Sequence, residues 1–182
     1  RIYQAGEALC IHNAATGREL TMPHEIERAS VLRRAVVIGA GPGGLEAARV
    51  CAERGHVVTV FEAMPWAGGQ VRLAARNPRR RDLLGIVEWR VAELERLGVT
   101  VHYDTYADAS TVDALSPDVV IVATGGLPQH PGLEAGDDLV VEAWDVVGGD
   151  ARLQGDVILY DDDGTHSAMT TAEMIARSGA RL

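Results

Sequence analysis

From Arg34 onward, short apolar runs alternate with stretches of helical periodicity. Ala35-Val36-Val37-Ile38 is bounded by glycine, as a parallel strand buried on both faces would be. Leu45, Ala48 and Ala52 then recur at helical spacing, with Glu46, Arg49, Glu53 and Arg54 on the opposite face and Gly55 as a stop. Val57 to Phe61 reads as a second strand, and a loop is expected from Ala63 to about Arg80. Leu84, Val87, Val91 and Leu94 form the stripe of a longer helix that stops at Gly98. Val99 to Tyr103 and Asp118 to Ala123 read as the third and fourth strands. Past a turn with Pro128, Pro131 and Gly132 lies a weaker apolar segment, Leu139-Val140-Val141. Asp156 to Tyr160 opens another strand–turn–helix unit, an echo of the one after Arg34. Its helix ends at Gly179, and a further strand is expected at about Arg181. Residues Arg1 to about Leu32 carry neither period and read as an irregular arm. The predicted fold class is α/β: a doubly wound parallel sheet with right-handed crossovers.

Composition narrows the function classes. The 182 residues are 47% apolar and 24% charged, enough to bury a core, and no run reaches the length of a membrane span. Seventeen basic against 26 acidic residues give a net charge of −9, which argues against nucleic acid as a partner. Cys10 and Cys51 cannot form a disulfide framework, so a reducing, cytoplasmic location is expected. The chain begins at Arg1 rather than Met and stops where a strand should start, so it is expected to be an excerpt of a longer polypeptide.

The candidate chemistry sits in Gly39-Ala40-Gly41-Pro42-Gly43-Gly44, a G-x-G-x-x-G between a strand and a helix. In that context Gly39 makes the tight turn, Gly41 lets a pyrophosphate approach the backbone, and Gly44 lets helix and sheet pack closely. The first helical N–H groups hold the phosphate charge, and Pro42 gives up an N–H that had no intrahelical partner. Glu62, eighteen residues past Gly44, ends the second strand, where a carboxylate can accept hydrogen bonds from ribose hydroxyls. The rival reading is a glycine turn kept for packing alone. Gly68-Gly69-Gln70 and Ala123-Thr124-Gly125-Gly126 add two further places where backbone could approach a larger ligand. Each could instead be an ordinary turn.

Together these residues resemble the flavin-binding domain of flavoproteins with two dinucleotide-binding domains. Within that group the chain is most similar to the C-terminal half of the dienoyl-CoA reductase and trimethylamine dehydrogenase family. Around Gly68 to Trp89 it is nearest to the amine-demethylating, N-methylproline-type members. The resemblance implies FAD or ADP in this domain, held by Gly39, Gly41, Pro42, Gly43, Gly44, Glu62, Ala63, Gly69, Gln70, Tyr106, Ala123, Thr124 and Gly125. It also implies an FMN-containing TIM barrel and a [4Fe–4S] cluster elsewhere in the full-length protein. Cys10-Ile11-His12-Asn13-Ala14-Ala15-Thr16-Gly17 is similar to the segment carrying the last of four cluster cysteines, with Ala14 replacing the usual Pro. Cys10 is thus the candidate metal ligand. The other three thiolates such a cluster needs would lie before Arg1. Without the resemblance, Cys10 would read as an inert thiol.

The expected division is an arm at 1–32, an FAD/ADP-binding domain at 33–150, and the start of a degenerate NAD(P)-binding-like domain at 151–182. The last turn reads Asp161-Asp162-Asp163-Gly164-Thr165-His166, without G-x-G-x-x-G. Carboxylates there would repel a pyrophosphate and could cap the helix themselves, so NAD(P) binding in the usual manner is not expected. A metal site at Asp161 to Asp163 is the lesser alternative. Arg76, Arg79, Arg80 and Arg81 read as a solvated or interdomain face, and Trp66, Trp89 and Trp144 are too scattered for an aromatic cage. No group offers itself as a catalytic acid, base or nucleophile. The resemblance therefore implies oxidation of a small N-methyl amine at the absent barrel. The barrel itself and an electron-transfer protein are the expected partners, with neither nucleic acid nor membrane. The alternatives are an NAD(P)H-dependent enoate or 2,4-dienoyl-CoA reductase and a non-catalytic ADP-binding structural domain.

Overall fold

A computed structural model describes residues 9–22, 24–129, 132–161, 164 and 166–182. Pro131 of the expected turn, and Asp162, Asp163 and Thr165 of the acidic turn, lie outside the described residues. The chain divides into two compact units. One comprises Arg1–Gly68 with Gly85–Thr124, the other Gly69–Leu84 with Gly125–Leu182.

The first unit holds β1 (Arg34–Ile38), α1 (Pro42–Glu53), β2 (Val57–Phe61), α3 (Leu84–Arg96), β3 (Thr100–His102), α4 (Ala109–Asp113) and β4 (Val119–Val122). The second holds α2 (Gln70–Ala74), a 3-10 turn at Pro78–Leu83, another at Asp137–Leu139, α5 (Ala143–Gly148) and α6 (His166–Arg177).

Among the described residues the strands form one parallel sheet in the order β3-β2-β1-β4. The chain winds outward from β1 through β2 to β3, then returns to β4 on the other side of β1. This is the reversal that makes a doubly wound sheet, and it opens a crevice at the C-terminal ends of β1 and β4. Val36 and Val37 are buried on opposite faces of β1. α1 buries Gly44, Leu45 and Ala48, and it contacts β1 and β2. Val36, Phe61 and Val112 form a cluster that Ile38 and Ala107 extend.

α1 and α3 are joined by ions. Arg90 is 5% exposed, and its Nε donates to Glu46 Oε2 at 2.9 Å while Nη1 donates to the Ile86 carbonyl at 3.1 Å. Arg49 also donates to Glu46, with Nη2 to Oε1 at 2.6 Å. Burial raises the Glu46 carboxyl's pKa, but the hydrogen bond and charge of Arg49 and the charge of Arg90 outweigh it, so the net shift is downward. Glu46→Ala would leave the Arg90 guanidinium buried without a carboxylate, held by the Ile86 carbonyl and the Trp89 ring. An unpaired buried charge is costly, so a loss of about 2–3 kcal/mol is expected in urea unfolding.

Asp108 caps α4. Its Oδ1 accepts the Thr111 N–H and hydroxyl, both at 2.8 Å, and the Ser110 hydroxyl at 2.8 Å. The Thr111 backbone bond first, then the two hydroxyls, lower its pKa from 3.8 to about 2. The depressed value means that the cap is fully formed above the unfolded pKa and is lost as pH falls through about 2. The protection factor of the Thr111 amide, taken against its intrinsic exchange rate at each pH, should therefore hold at pH 4 and fall towards about pH 2.

Two expectations are corrected. The stretch expected to be a loop up to Arg80 contains α2 and the start of a 3-10 turn, capped where Asn77 Oδ1 accepts the Arg79 N–H at 2.9 Å. The segment at Leu139-Val140-Val141, to which the sequence assigns no element, is the end of a 3-10 turn leading to α5. Asp156 to Tyr160 makes a single parallel bridge, Asp156 with Arg181, instead of a strand. A strand needs a partner along its length, and among the described residues only the Asp156–Arg181 pair is formed here.

Candidate nucleotide-binding site

The four glycines of the first turn divide into two kinds. Gly39 has φ +103°, and a Cβ there would lie 2.4 Å from the Ala123 carbonyl oxygen. A Cβ on Gly44 would lie 1.9 Å from the Gly39 carbonyl oxygen and 3.2 Å from Ala123 Cβ. These two glycines are required by the protein's own packing.

Gly41 and Gly43 are not. Gly41 has φ −70° and ψ 175°, which any residue adopts, and a Cβ on either would meet nothing within 4 Å. Their missing side chains leave open space above the first turn of α1. Gly41 is the N-cap with no side-chain hydrogen bond, and no acidic residue stands in the first turn. The N–H groups of Gly43 and Gly44 thus begin a helix without an intrahelical acceptor and carry the positive end of its dipole.

Glu62 is 8% exposed and anchored at both oxygens. Oε2 accepts the Ala40 N–H at 2.7 Å and Oε1 accepts the Met64 N–H at 2.8 Å. Each carboxylate oxygen has two acceptor directions, so one on each is left for a ligand hydroxyl. The Glu62 N–H donates to the His102 carbonyl at 2.9 Å, and its own carbonyl accepts the Thr105 N–H at 2.9 Å. The loop after β3 therefore runs beside Glu62, and Tyr106 is exposed there. Ala63 is exposed next to it.

The Ala123 N–H donates to the Ile38 carbonyl at 2.8 Å, which fixes Ala123 and Thr124 beside the glycine turn at the crevice. Gly69, Gln70 and Gly125 belong to the other unit. There Gln70 Nε2 donates to the Gly126 carbonyl at 3.1 Å, and Gly125 has φ +75°.

Ala40 was no candidate ligand residue, yet it knits the turn together. It is wholly buried, its N–H holds Glu62, and its carbonyl accepts the Gly68 N–H at 2.8 Å. The open cradle, the uncapped helix start and the held carboxylate fit a diphosphate joined to a ribose.

Residues 33–158 match the family model described as pyridine nucleotide-disulphide oxidoreductase. The chain belongs to that family. It is 57% identical over 182 residues to a "Probable N-methylproline demethylase" of Rhizobium meliloti (strain 1021), covering 100% of this chain and 27% of that protein. It is 49% identical over 172 residues to a multifunctional alkene reductase/demethylase of Caballeronia cordobensis, covering 94% of this chain and 25% of that one. Among solved structures, a 6-hydroxypseudooxynicotine amine oxidase from Pseudomonas geniculata N1 superposes with TM-score 0.92 at 30% identity. That alignment covers 100% of this chain and 29% of the oxidase. The chain thus spans about a quarter of the length of its curated relatives. Fold and family identify it as a nucleotide-binding domain of the flavin-oxidoreductase type. The resemblance read from the sequence is borne out.

Cys10 is exposed in an irregular segment. Backbone hydrogen bonds from His12 first, then Asn13, hold its thiol below the ordinary pKa. Among the described residues no group of three or more His, Cys, Asp or Glu could hold a metal ion. The metal alternative for Asp161 to Asp163 falls partly outside the described residues. Asp161 itself accepts the Gly164 N–H on Oδ1 at 3.0 Å. Among the described residues no helix is long and apolar enough to cross a membrane.

Proposed function

We propose that this chain is the FAD- or ADP-binding domain of a flavin/iron–sulfur oxidoreductase that oxidises an N-methyl amine and passes the electrons to an external acceptor. The observation that carries the reading is the open cradle at Gly41 and Gly43 beside the anchored Glu62. The 57% identity to a protein named as an N-methylproline demethylase supports the substrate class. In this reading the amides of Gly43 and Gly44 hold the diphosphate, and Gly41 leaves it room to approach. Glu62 accepts the ribose hydroxyls, while Ala63, Tyr106, Ala123 and Thr124 flank the ligand. Gly39 and Pro42 shape the turn, and Gly69, Gln70 and Gly125 complete the set by their place in the sequence pattern. FAD, when bound, supplies a two-electron redox centre, whereas ADP supplies none.

The reading divides the chain into an arm at 1–32, the nucleotide domain at 33–150 and the start of a degenerate second domain at 151–182. Cys10 is one of four thiolates on a [4Fe–4S] cluster, and its thiol, already biased towards thiolate by backbone N–H groups, suits that role. No catalytic residue is assigned to this chain; the amine reacts in an FMN barrel supplied by the rest of the protein. The protein is cytoplasmic, and its redox partner is an electron-transfer protein. The carboxylate of Asp161 on the Gly164 amide favours an acceptor other than NAD(P).

The similarity to an alkene reductase/demethylase favours a second reading, an NAD(P)H-dependent enoate reductase. Stopped-flow reduction of the full-length flavoprotein separates the two. Fast reduction by N-methylproline and slow reduction by NADPH is expected, and the reverse would establish the reductase. The mass of the ligand released on denaturation decides a third point. FAD fits the redox role, and ADP alone fits a structural domain.

A further inference from the structure

Among the described residues two that are not glycine have a left-handed backbone, Asp104 at φ +50° and Ser116 at φ +46°. Ser116 lies just past the end of α4, and its N–H donates to the Asp113 carbonyl at 2.9 Å. A left-handed residue there is a common way to stop a helix. Asp104 ends no helix. It lies in the loop after β3, with an exposed side chain that makes no hydrogen bond or ion pair among the described residues. What this position contributes is its backbone.

The hydrogen bonds show what that backbone does. Phe61 stands opposite His102 in the parallel register of β2 and β3, so Glu62 comes opposite Tyr103. In a regular parallel ladder the Glu62 N–H would go to the His102 carbonyl and the Glu62 carbonyl would accept the Asp104 N–H. The first bond is made, at 2.9 Å, but the Glu62 carbonyl accepts the Thr105 N–H instead, also at 2.9 Å. Asp104 is thus an extra residue, a bulge, and the left-handed turn accommodates it. Its N–H leaves the ladder and donates to the Met64 carbonyl at 3.2 Å. Met64 in turn gives its own N–H to Glu62 Oε1 at 2.8 Å, while Ala40 holds Oε2 at 2.7 Å. A run of bonds therefore leads from the Asp104 backbone through Met64 to one oxygen of the carboxylate.

We propose that Asp104 is a positioning residue for nucleotide binding, whose left-handed bulge holds Met64 so that its amide fixes the direction of Glu62 Oε1. The ligand side of this inference rests on the proposed function; the run of bonds does not. A carboxylate held at Oε2 alone could swing about that bond and would no longer present one acceptor direction on each oxygen to two ribose hydroxyls. Aspartate and asparagine tolerate the left-handed region, glycine adopts it freely, and the branched Cβ of valine opposes it.

The test compares Asp104→Asn, Asp104→Gly, Asp104→Ala and Asp104→Val with Ser116→Val, all in the full-length protein. One readout is hydrogen exchange at the Met64 amide without nucleotide, measured by mass spectrometry. The other is the ratio of affinities for ADP and 2′-deoxy-ADP from isothermal titration. Asp104→Val should speed Met64 exchange about tenfold, weaken ADP about tenfold and bring the ratio towards one, the effect of one hydrogen bond. Asp104→Ala should move the same way by less, and it serves if the valine variant does not fold. The asparagine and glycine variants should match the parent protein in both readouts. Ser116→Val meets the same backbone conflict elsewhere, so it should lower the melting temperature and leave both readouts unchanged. Parental Met64 exchange in folded Asp104→Val and Asp104→Ala would overturn the proposal, as would a parental affinity ratio. A loss shared by the asparagine and glycine variants would also overturn it, because the side chain would then be responsible. A parent protein that binds ADP and 2′-deoxy-ADP equally would instead overturn the ribose reading of Glu62, and Met64 exchange would still decide whether Asp104 sets the carboxylate.

Discussion

Gly41→Val should fold like the parent protein and lose the nucleotide, whereas Gly44→Ala should lose a large part of its stability. The contrast follows from what a side chain would meet. At Gly41 it would enter open space, with backbone angles that any residue accepts, so the unfolding free energy should fall by no more than about 1 kcal/mol, the ordinary cost of a poorer N-cap. The isopropyl group would then occupy the ground where a diphosphate must approach the Gly43 and Gly44 amides. Losing that contact should cost about 3 kcal/mol, or about 100-fold in Kd for ADP or FAD. At Gly44 the smallest side chain would lie 1.9 Å from the Gly39 carbonyl oxygen, and no rotation relieves a clash with backbone. The turn or the start of α1 would have to move, at a cost of about 4 kcal/mol or more against a total stability of roughly 5–15 kcal/mol. Circular dichroism melting with ADP titration on the same samples checks both variants. A turn kept for packing alone would instead leave ligand affinity untouched in Gly41→Val.

Glu62→Ala should weaken nucleotide binding and stability together, and Glu62→Gln should separate part of the two effects. Both carboxylate oxygens already hold backbone N–H groups, from Ala40 at 2.7 Å and Met64 at 2.8 Å. Alanine removes both acceptors and leaves the buried Ala40 N–H unsatisfied, which should cost about 2 kcal/mol of stability. It also removes the acceptors of two ribose hydroxyls, each a charge-assisted bond of about 1.5–3 kcal/mol, so affinity should fall by a factor of about 100 or more. Glutamine keeps one acceptor oxygen. It should therefore recover roughly half of the stability loss and about tenfold of the affinity. Comparing ADP with its 2′-deoxy analogue isolates the ribose contribution: the analogue should bind more weakly than ADP to the parent protein and equally to Glu62→Ala.

Much of this was legible from residue types alone. The four strands of the sheet were marked by short apolar stretches, most clearly β1, whose Val36-Val37-Ile38 run reflects burial on both faces. α1 and α3 were marked by stripes long enough to show a period. α2 and α5 were not, since they have five and six residues and a single turn of helix has no measurable periodicity. Val157-Ile158-Leu159 looked like a strand because composition says what a strand would contain and nothing about a partner. Ile158 is instead 96% exposed.

In the site, the residues with distinctive side chains or none, Glu62 and the glycines, stood out. Ala40 did not, because its contribution is made by backbone N–H and carbonyl groups that every residue possesses. The distinction between Gly39 and Gly44 on one side and Gly41 and Gly43 on the other was also hidden. It depends on where the Ala123 and Gly39 carbonyls point, and only the folded chain fixes that.

The most direct test is a crystal structure of the full-length protein with ADP or FAD bound. The account predicts diphosphate oxygens within about 3 Å of the Gly43 and Gly44 amide nitrogens and both ribose hydroxyls on the Glu62 carboxylate. A nucleotide seated elsewhere, with the space over Gly41 and Gly43 filled by solvent and Glu62 touching only Ala40 and Met64, would contradict it.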